Sequence, residues 1–208
     1  MEENINTKKT EQEALTATAN SAAPSFWQNT ASMKTAYRMA EGLSSTSLVP
    51  DSYKGKPFEC LIALGLSARM NLEPITVMQN SQVVKGNFTW KGSACKGLID
   101  SSGKYVDTNY IQVGDFGENT WGYFLQAIKP NGTVVNGPVV TMQMAIDEGW
   151  AGRNPKWKTM PELMLKYRAA AFFSRTECPS VLMSFQTAEE VVDVKGEEPP
   201  KKKEVIEI

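Results

Sequence analysis

The stretch Trp157–Pro179, WKTMPELMLKYRAAAFFSRTECP, carries the clearest helix punctuation in the 208-residue chain. Thr159 and Glu162 stand at capping-box spacing, and Pro161 sits where a first-turn proline is tolerated. Pro179 closes the far end, with Cys178 biased out of helical geometry before it. The spacing predicts about five helical turns. Leu163, Tyr167, Ala170 and Ser174 fall on one side, and Met164, Arg168, Ala171, Phe172 and Arg175 on another. Ala169–Ala171 lets neighbouring backbone come close, and Phe172 and Phe173 require burial. Arg168 and Arg175 are seven apart and share a face. Residues 150–175 hold Arg153, Lys156, Lys158, Lys166, Arg168 and Arg175 against Glu162 alone. Two aligned arginines on a nearly buried helix need an anion or a carboxylate partner. Either this is a core helix whose arginines pair with acids elsewhere, or it lines a groove for a phosphate backbone. Residue types alone favour the core reading.

The formal net charge of −1 hides a split along the chain. Residues 31–178 hold 16 basic and 12 acidic side chains, whereas both ends are acidic. Local patches therefore have to carry any argument for a polyanionic partner. The three cysteines, Cys60, Cys95 and Cys178, are odd in number and far apart, which points away from a disulfide framework and toward a reducing cytoplasm. A polar N-terminus and the lack of an apolar run of about 18 residues predict a soluble chain with no membrane partner.

Residues 1–30 read as a disordered tail, in which the lone Phe26-Trp27 pair is placed to dock onto a fold or a partner. Residues 31–194 read as one α+β domain and residues 195–208 as a charged tail. Removing residues 1–25 or 196–208 is expected to leave the fold intact. Ser32–Leu43 is a short helix with Ser32 as cap and Gly42 as stop. Pro57–Met70 is a second helix with the stripe Phe58, Leu61, Ile62, Gly65 and Arg69, ended by a left-handed Asn71. In the loop between them, Lys54 and Lys56 flank Gly55.

The period then changes. Ser81–Val84 and Phe88–Trp90 form a hairpin, Gly92–Ser101 a short helix, and Tyr105–Val113, Thr120–Lys129 and Val134–Thr141 an antiparallel meander. Asn131-Gly132 is a turn with two positive φ angles, and Gly137-Pro138 interrupts the last strand. Thr141–Trp150 is helical, and Gln186–Val194 is a final helix with Thr187 as cap and Glu190 at N3. Helices, then strands joined by short turns, then helices including one long one: this order is α+β rather than alternating βαβ.

The chain has no histidine, which excludes Ser-His-Asp and Cys-His nucleophile systems, and three scattered cysteines exclude the usual zinc sites. Neither Gly55-Lys56 nor Gly103-Lys104 belongs to a phosphate-binding P-loop. Pro50-Asp51 and Asp193-Val194-Lys195 mimic the halves of a metal-dependent nuclease signature, but at far too long a spacing; the match reads as chance. No cofactor, catalytic residue or metal ligand is expected. What remains is basic and aromatic. Lys85, Lys91, Lys96 and Lys104 surround Phe88 and Trp90 against a single acid, Asp100. Cations beside an exposed ring suit single-stranded nucleic acid, phosphates on lysines and bases on rings, although the same lysines also suit a solubilising sheet edge.

Several segments, in order and spacing, resemble the RecT/Redβ family of phage single-strand annealing proteins. They are Ser47–Pro50 with Tyr53–Pro57, Cys60–Leu64 running into Arg69–Pro74, the hairpin Gln82–Trp90, and above all Trp157, Met160–Met164, Tyr167–Ala170 and Ala171–Arg175. The resemblance spans about residues 45–194. It implies an ATP-independent protein of a bacterial host's phage or prophage that coats single-stranded DNA, pairs complementary strands, and holds the nascent duplex in a basic groove of a ring or helical homo-oligomer. It also implies that Lys54, Lys85, Lys96, Lys166, Arg168 and Arg175 are basic DNA contacts. Residue types and patches add Lys56, Trp90, Lys91, Lys156 and Lys158 to the expected DNA-binding set. Where the family can carry a basic residue after Pro161, this chain has Glu162. A phage exonuclease or a host single-strand-binding protein is a further implied partner; with 14 residues after Val194, the recruiting function that the family's separate C-terminal domain supplies is expected to be absent or reduced to a peptide contact. With the resemblance, the arginine face of 157–179 reads as the floor of a strand-pairing groove. The competing class is an oligomeric assembly protein with no DNA role, and a metal-dependent nuclease is a distant third.

Overall fold

A computed structural model describes residues 26–84 and 86–195, with the main chain alone at Gln28 and Lys195. The expectations for residues 1–25, Lys85 and 196–208 lie outside the described residues. The class is α+β, with small antiparallel sheets among several helices. The chain divides at Gln79/Asn80 into two compact units.

In the first unit a 3-10 turn, Phe26–Gln28, precedes α1 (Thr30–Ser45), α2 (Pro57–Met70) and α3 (Pro74–Gln79). Asn29, not Ser32, caps α1: its side chain accepts from the Ala31 amide at 2.8 Å. The helix runs through Gly42, and the Ser44 and Ser45 hydroxyls donate back to the Glu41 and Gly42 carbonyls at its end. The bounds of α2 match the expectation, with Pro57 in the first turn and Asn71 at φ 53°. Its inward face matches only in part. Cys60, Leu61, Ala63, Leu64 and Ser67 are buried, while Phe58 and Ile62 are exposed. The helix is apolar nearly all round, so its sequence period does not select one side. The Phe26-Trp27 turn docks on α2 at Gly65, where an added Cβ would lie 3.3 Å from the Trp27 indole nitrogen.

In the second unit β1 (Ser81–Val84) and β2 (Asn87–Trp90) form the expected hairpin, followed by α4 (Gly92–Ser101). The main sheet contains β3 (Asp107–Val113), β4 (Gly122–Ile128), β5 (Val134–Asn136) and β6 (Val140–Thr141). β4 is central, with Tyr110 opposite Leu125 on one side, and both β5 and β6 on the other. Gly137-Pro138 splits the return strand as its sequence implies. At Gly137 a Cβ would come within 2.8 Å of the Phe173 ring, so only glycine admits that helix so close to the sheet. In the Asn131-Gly132 turn only Gly132 has positive φ, at 81°, so the turn is not the expected type I′.

α5 (Met142–Asp147) is capped by Thr141, whose hydroxyl accepts from the Met144 amide at 3.2 Å. One-turn helices α6 (Trp150–Arg153) and α7 (Lys156–Thr159) lead into α8 (Pro161–Glu177). The capping box expected at Thr159 is absent. Thr159 closes the preceding turn, Met160 stands at the cap position, and no side chain caps α8. α9 (Pro179–Leu182) and α10 (Ala188–Lys195) complete the unit. The Thr187–Glu190 capping box at the start of α10 is present in both directions: the Thr187 amide donates to Glu190 at 2.7 Å, and the Glu190 amide donates to the Thr187 hydroxyl at 3.2 Å.

The core of this unit joins the sheet to α8. Trp121, Tyr123 and Val140 meet Ala145, Trp150, Trp157, Met164, Leu165 and Ala169. The alanine run serves the purpose its composition implies: Ala169, Ala170 and Ala171 are all buried, and α8 lies against both β4 and α4.

Candidate nucleic-acid interface

α8 brings its two arginines to α10, not to an open surface. Arg168 is 6% exposed, donates to Glu190 at 3.0 Å and to Asp193, and stacks its guanidinium 4.1 Å from the Trp150 ring centre. Arg175, about one-third exposed, pairs with the other oxygen of Glu190. Asp193 is fully buried and also accepts from Asn154 Nδ2 at 2.8 Å and Trp157 Nε1 at 3.0 Å. Two guanidinium groups thus face two carboxylates in a closed network. Each hydrogen bond is charge-assisted, and the carboxylates fill the positions a phosphate would take. The assignment of Arg168 to a phosphate-facing groove floor is therefore corrected: the core reading that residue types favoured describes this helix. Arg175 keeps some solvent access, but its carboxylate partner is already in place. Asp193, half of the chance nuclease match, is a structural node.

Glu190 gives the network a pH signature. Burial alone would raise its carboxyl pKa. The hydrogen bond from Arg175, the charges of Arg168 and Arg175, and the Thr187 amide outweigh that and hold it below the usual carboxylate range. A carboxyl lowered in the folded state stabilises fully above its unfolded value, about 4.3 for glutamate, and its contribution is lost as pH falls through the folded value. Denaturant unfolding followed from pH 7 to pH 3 is expected to show falling stability below about pH 4.5, with a shallower acid limb in Glu190→Gln.

The hairpin ring is corrected too. Trp90, expected as a stacking surface, is fully buried, and its indole N–H donates to the Leu182 carbonyl at 3.2 Å. Its backbone amide donates to the Gln186 carbonyl at 3.1 Å, and a parallel bridge links it to Thr187. Phe88 packs in the same cluster, 5.1 Å from Trp90 and 5.0 Å from Phe185.

The expected lysines separate by environment. Lys54 pairs with Asp51 at 2.8 Å, Lys96 with Asp100 at 2.7 Å and Lys166 with Glu162 at 2.6 Å. All three are one-turn neighbours on the surface, worth little to the fold and displaceable by a stronger anion. Lys56 is exposed in the first unit. Lys91 is half-buried where it leads into α4, its amide bonded to the Asn80 carbonyl at 2.9 Å. Lys156 and Lys158 are exposed on α7 and enter no ion pair among the described residues. Between them Trp157 is buried and tied to Asp193, so the turn that carries both cations is fixed to the core.

Beyond α7 the chain lines a groove of about 460 Å³, formed by Met160–Leu163 and Lys166 with Phe116 and Trp121. Glu162 answers its odd place in the expected basic set. It is held by Lys166 and lies 3.1 Å from the Tyr123 hydroxyl, and those two hydrogen bonds lower its pKa. The Lys166 ammonium sits 4.8 Å from the Tyr123 ring centre. Sequence reasoning passed over Phe116, which lies in a turn with no periodicity to mark it. It also missed Glu190 and Asp193 as partners, although their i, i+3 spacing complements the i, i+7 arginines.

All three cysteines are free and buried, and burial pushes each thiol's pKa up, which leaves them chemically quiet. Among the described residues no cluster of three metal-ligating side chains occurs, and no helix is long and apolar enough to cross a membrane. Comparison with protein-family models, curated proteins and solved structures gives no match.

Proposed function

We propose that the chain binds single-stranded DNA and anneals complementary strands without ATP, as an oligomer of the RecT/Redβ kind. The observation that carries this reading is the pair of exposed lysines, Lys156 and Lys158, which enter no ion pair among the described residues, on a turn anchored by Trp157. Cations presented on a fixed turn neutralise phosphate at a small ordering cost. With Lys166 they move the expected contact surface from the middle of α8 to its N-terminal approach, within residues 156–166. The family resemblance supports the strand-pairing part of the reading, since annealing needs repulsion between strands removed and bases left free.

The expected result is binding of a short single-stranded oligonucleotide whose log K falls with log salt by roughly 0.7 per phosphate contact. Lys156→Ala and Lys158→Ala each lower that slope by about 0.7, and together they slow the annealing of two complementary oligonucleotides in nucleotide-free buffer. Fluorescence anisotropy across a salt series reads the first effect, and strand-pairing fluorescence the second. A parent protein that fails to bind at moderate salt would favour an assembly protein without a DNA role. The exposed Met39, Leu48, Phe58 and Ile62 of the first unit are the observation on that side.

A further inference from the structure

We propose that the free edge of β3 is a self-association surface, on which two copies of the chain pair Asn109–Val113 antiparallel about a two-fold axis at Ile111. The pairing goes beyond the proposed DNA binding and uses none of residues 156–166.

The main sheet ends at β3 on one side. Which of its backbone groups are left over follows from β4. The Gly137 amide donates to the Leu125 carbonyl at 2.9 Å and the Lys129 amide to the Thr133 carbonyl at 2.9 Å, so the odd-numbered residues of β4 bond toward β5. Its even-numbered residues then bond toward β3, where they stand opposite Asp107, Asn109, Ile111 and Val113. The amides and carbonyls of Thr108, Tyr110 and Gln112 point the other way, and no further strand meets them among the described residues. Thr108 is buried and its hydroxyl donates to Asp100, so the open part of the edge is Asn109–Val113. The other side of the sheet is built differently. β5 and β6 are short, and Gly137-Pro138 lies between them. β3 instead pairs with β4 over seven residues in unbroken register, and it holds no Pro, Gly, Lys or Arg. The devices that keep an edge strand from pairing with another chain are missing there.

A second copy fits this edge because the stretch is its own complement. Antiparallel about Ile111, Tyr110 of each copy lies opposite Gln112 of the other, and each such pair exchanges the outward amides and carbonyls. Asn109 meets Val113. Ile111 stands opposite Phe124, on the sheet face away from α8, so the two Ile111 side chains meet there at the close spacing of a non-hydrogen-bonded pair. Asn109–Val113 carries no charge, so no like charges are opposed along it. This register also keeps both helix layers on one side of the joined sheet. α4 is the helix over this edge, through Asp100 and Thr108. Its exposed residues are Ser93, Gly97, Asp100 and Ser101, and an added Cβ at Gly97 would meet nothing within 4 Å. Small residues on that helix leave room for the same helix of a neighbouring copy.

The test is disulfide trapping in the full chain without DNA. Facing Cα atoms of a non-hydrogen-bonded pair stand about 4.5 Å apart, within disulfide range. The native cysteines are all buried and do not compete. Ile111→Cys is expected to give a covalent dimer on mild oxidation, read by non-reducing denaturing electrophoresis. Val113→Cys, set about 14 Å along the strand from its counterpart, is expected to give none. Ile111→Lys opposes two like charges at the axis and is expected to weaken self-association in sedimentation about tenfold, with the parent's circular dichroism retained. Equal trapping at both cysteine positions, or none at Ile111→Cys, overturns the pairing. Self-association of Ile111→Lys equal to the parent's overturns it too. A parent that stays monomeric while a chain ending at Lys195 dimerises assigns the edge to residues 196–208, and the pairing between copies fails.

Discussion

Arg168→Ala is expected to cost the second unit about 3–5 kcal/mol of folding stability. The arginine is nearly fully buried, and its removal strands Glu190 and Asp193 with only part of their compensation. Arg175 and the donors of Asn154 and Trp157 remain, but they do not replace a bidentate positive charge. The loss should appear as a lower urea midpoint with a nearly unchanged slope. Arg175→Ala should cost less, since that side chain reaches water. A triple replacement, Arg168→Met with Glu190→Gln and Asp193→Asn, should recover part of the stability, because no uncompensated charge is left in the core. If Arg168→Ala unfolds with the parent, the network does not hold the helix. The order of effects reverses what the DNA-groove expectation implied, namely that this substitution would harm annealing more than folding.

Shortening the chain is expected to show a sharp boundary. A chain ending at Lys195 should unfold cooperatively like the parent. A chain ending at Gln186 should lack a cooperative transition in its second unit. The difference is α10, which supplies three acids to three places. Glu189 accepts from the Gly92 amide at 2.8 Å at the start of α4. Glu190 closes the arginine network, and Asp193 binds Trp157, Asn154 and Arg168. Ala188 and Val191 are buried as well. These contacts are lost together, against a stability margin of about 5–15 kcal/mol for a typical domain. Circular dichroism during thermal unfolding distinguishes the two shortened chains. Parallel behaviour of the pair would show that α10 merely rests on the unit.

How much of this was readable beforehand depends on the range of the interaction. Local chemistry was legible. Pro57 and Asn71 bound α2, the Thr187–Glu190 box opens α10, and Tyr123, Leu125 and Ala127 form the buried face of β4 as their alternation requires. Even there, competition misled. Thr159 sits at capping-box spacing from Glu162, yet its amide completes a turn with the Pro155 carbonyl, and Glu162 turns to Lys166 and Tyr123. Long-range pairing was not legible. Arg168 and Arg175 share a face in any helical wheel, but their partners lie 15–25 residues away. The sequence charge count set those acids in a separate acidic end. Periodicity also gives sides without saying which one is dry. Trp90 was placed correctly on a strand and wrongly at the surface, because what covers it comes from residues 182–187.

The stitch between Trp90 and that late segment also sets an order of events during synthesis. The first compact unit ends at Gln79, so all of its residues emerge before the second unit is made. The second unit is fastened near its beginning by residues made near its end, with Trp90 and its partner Leu182 separated by 92 positions along the chain. At roughly 5–20 residues per second, the ribosome takes about 6–23 s to extend the chain from Asn80 to Lys195. During that interval the hairpin has its strands but not its cover, and Trp90 and Phe88 lie open to solvent and to other nascent chains. Slow translation through the 90–182 interval therefore lengthens the time for which these two rings stay uncovered.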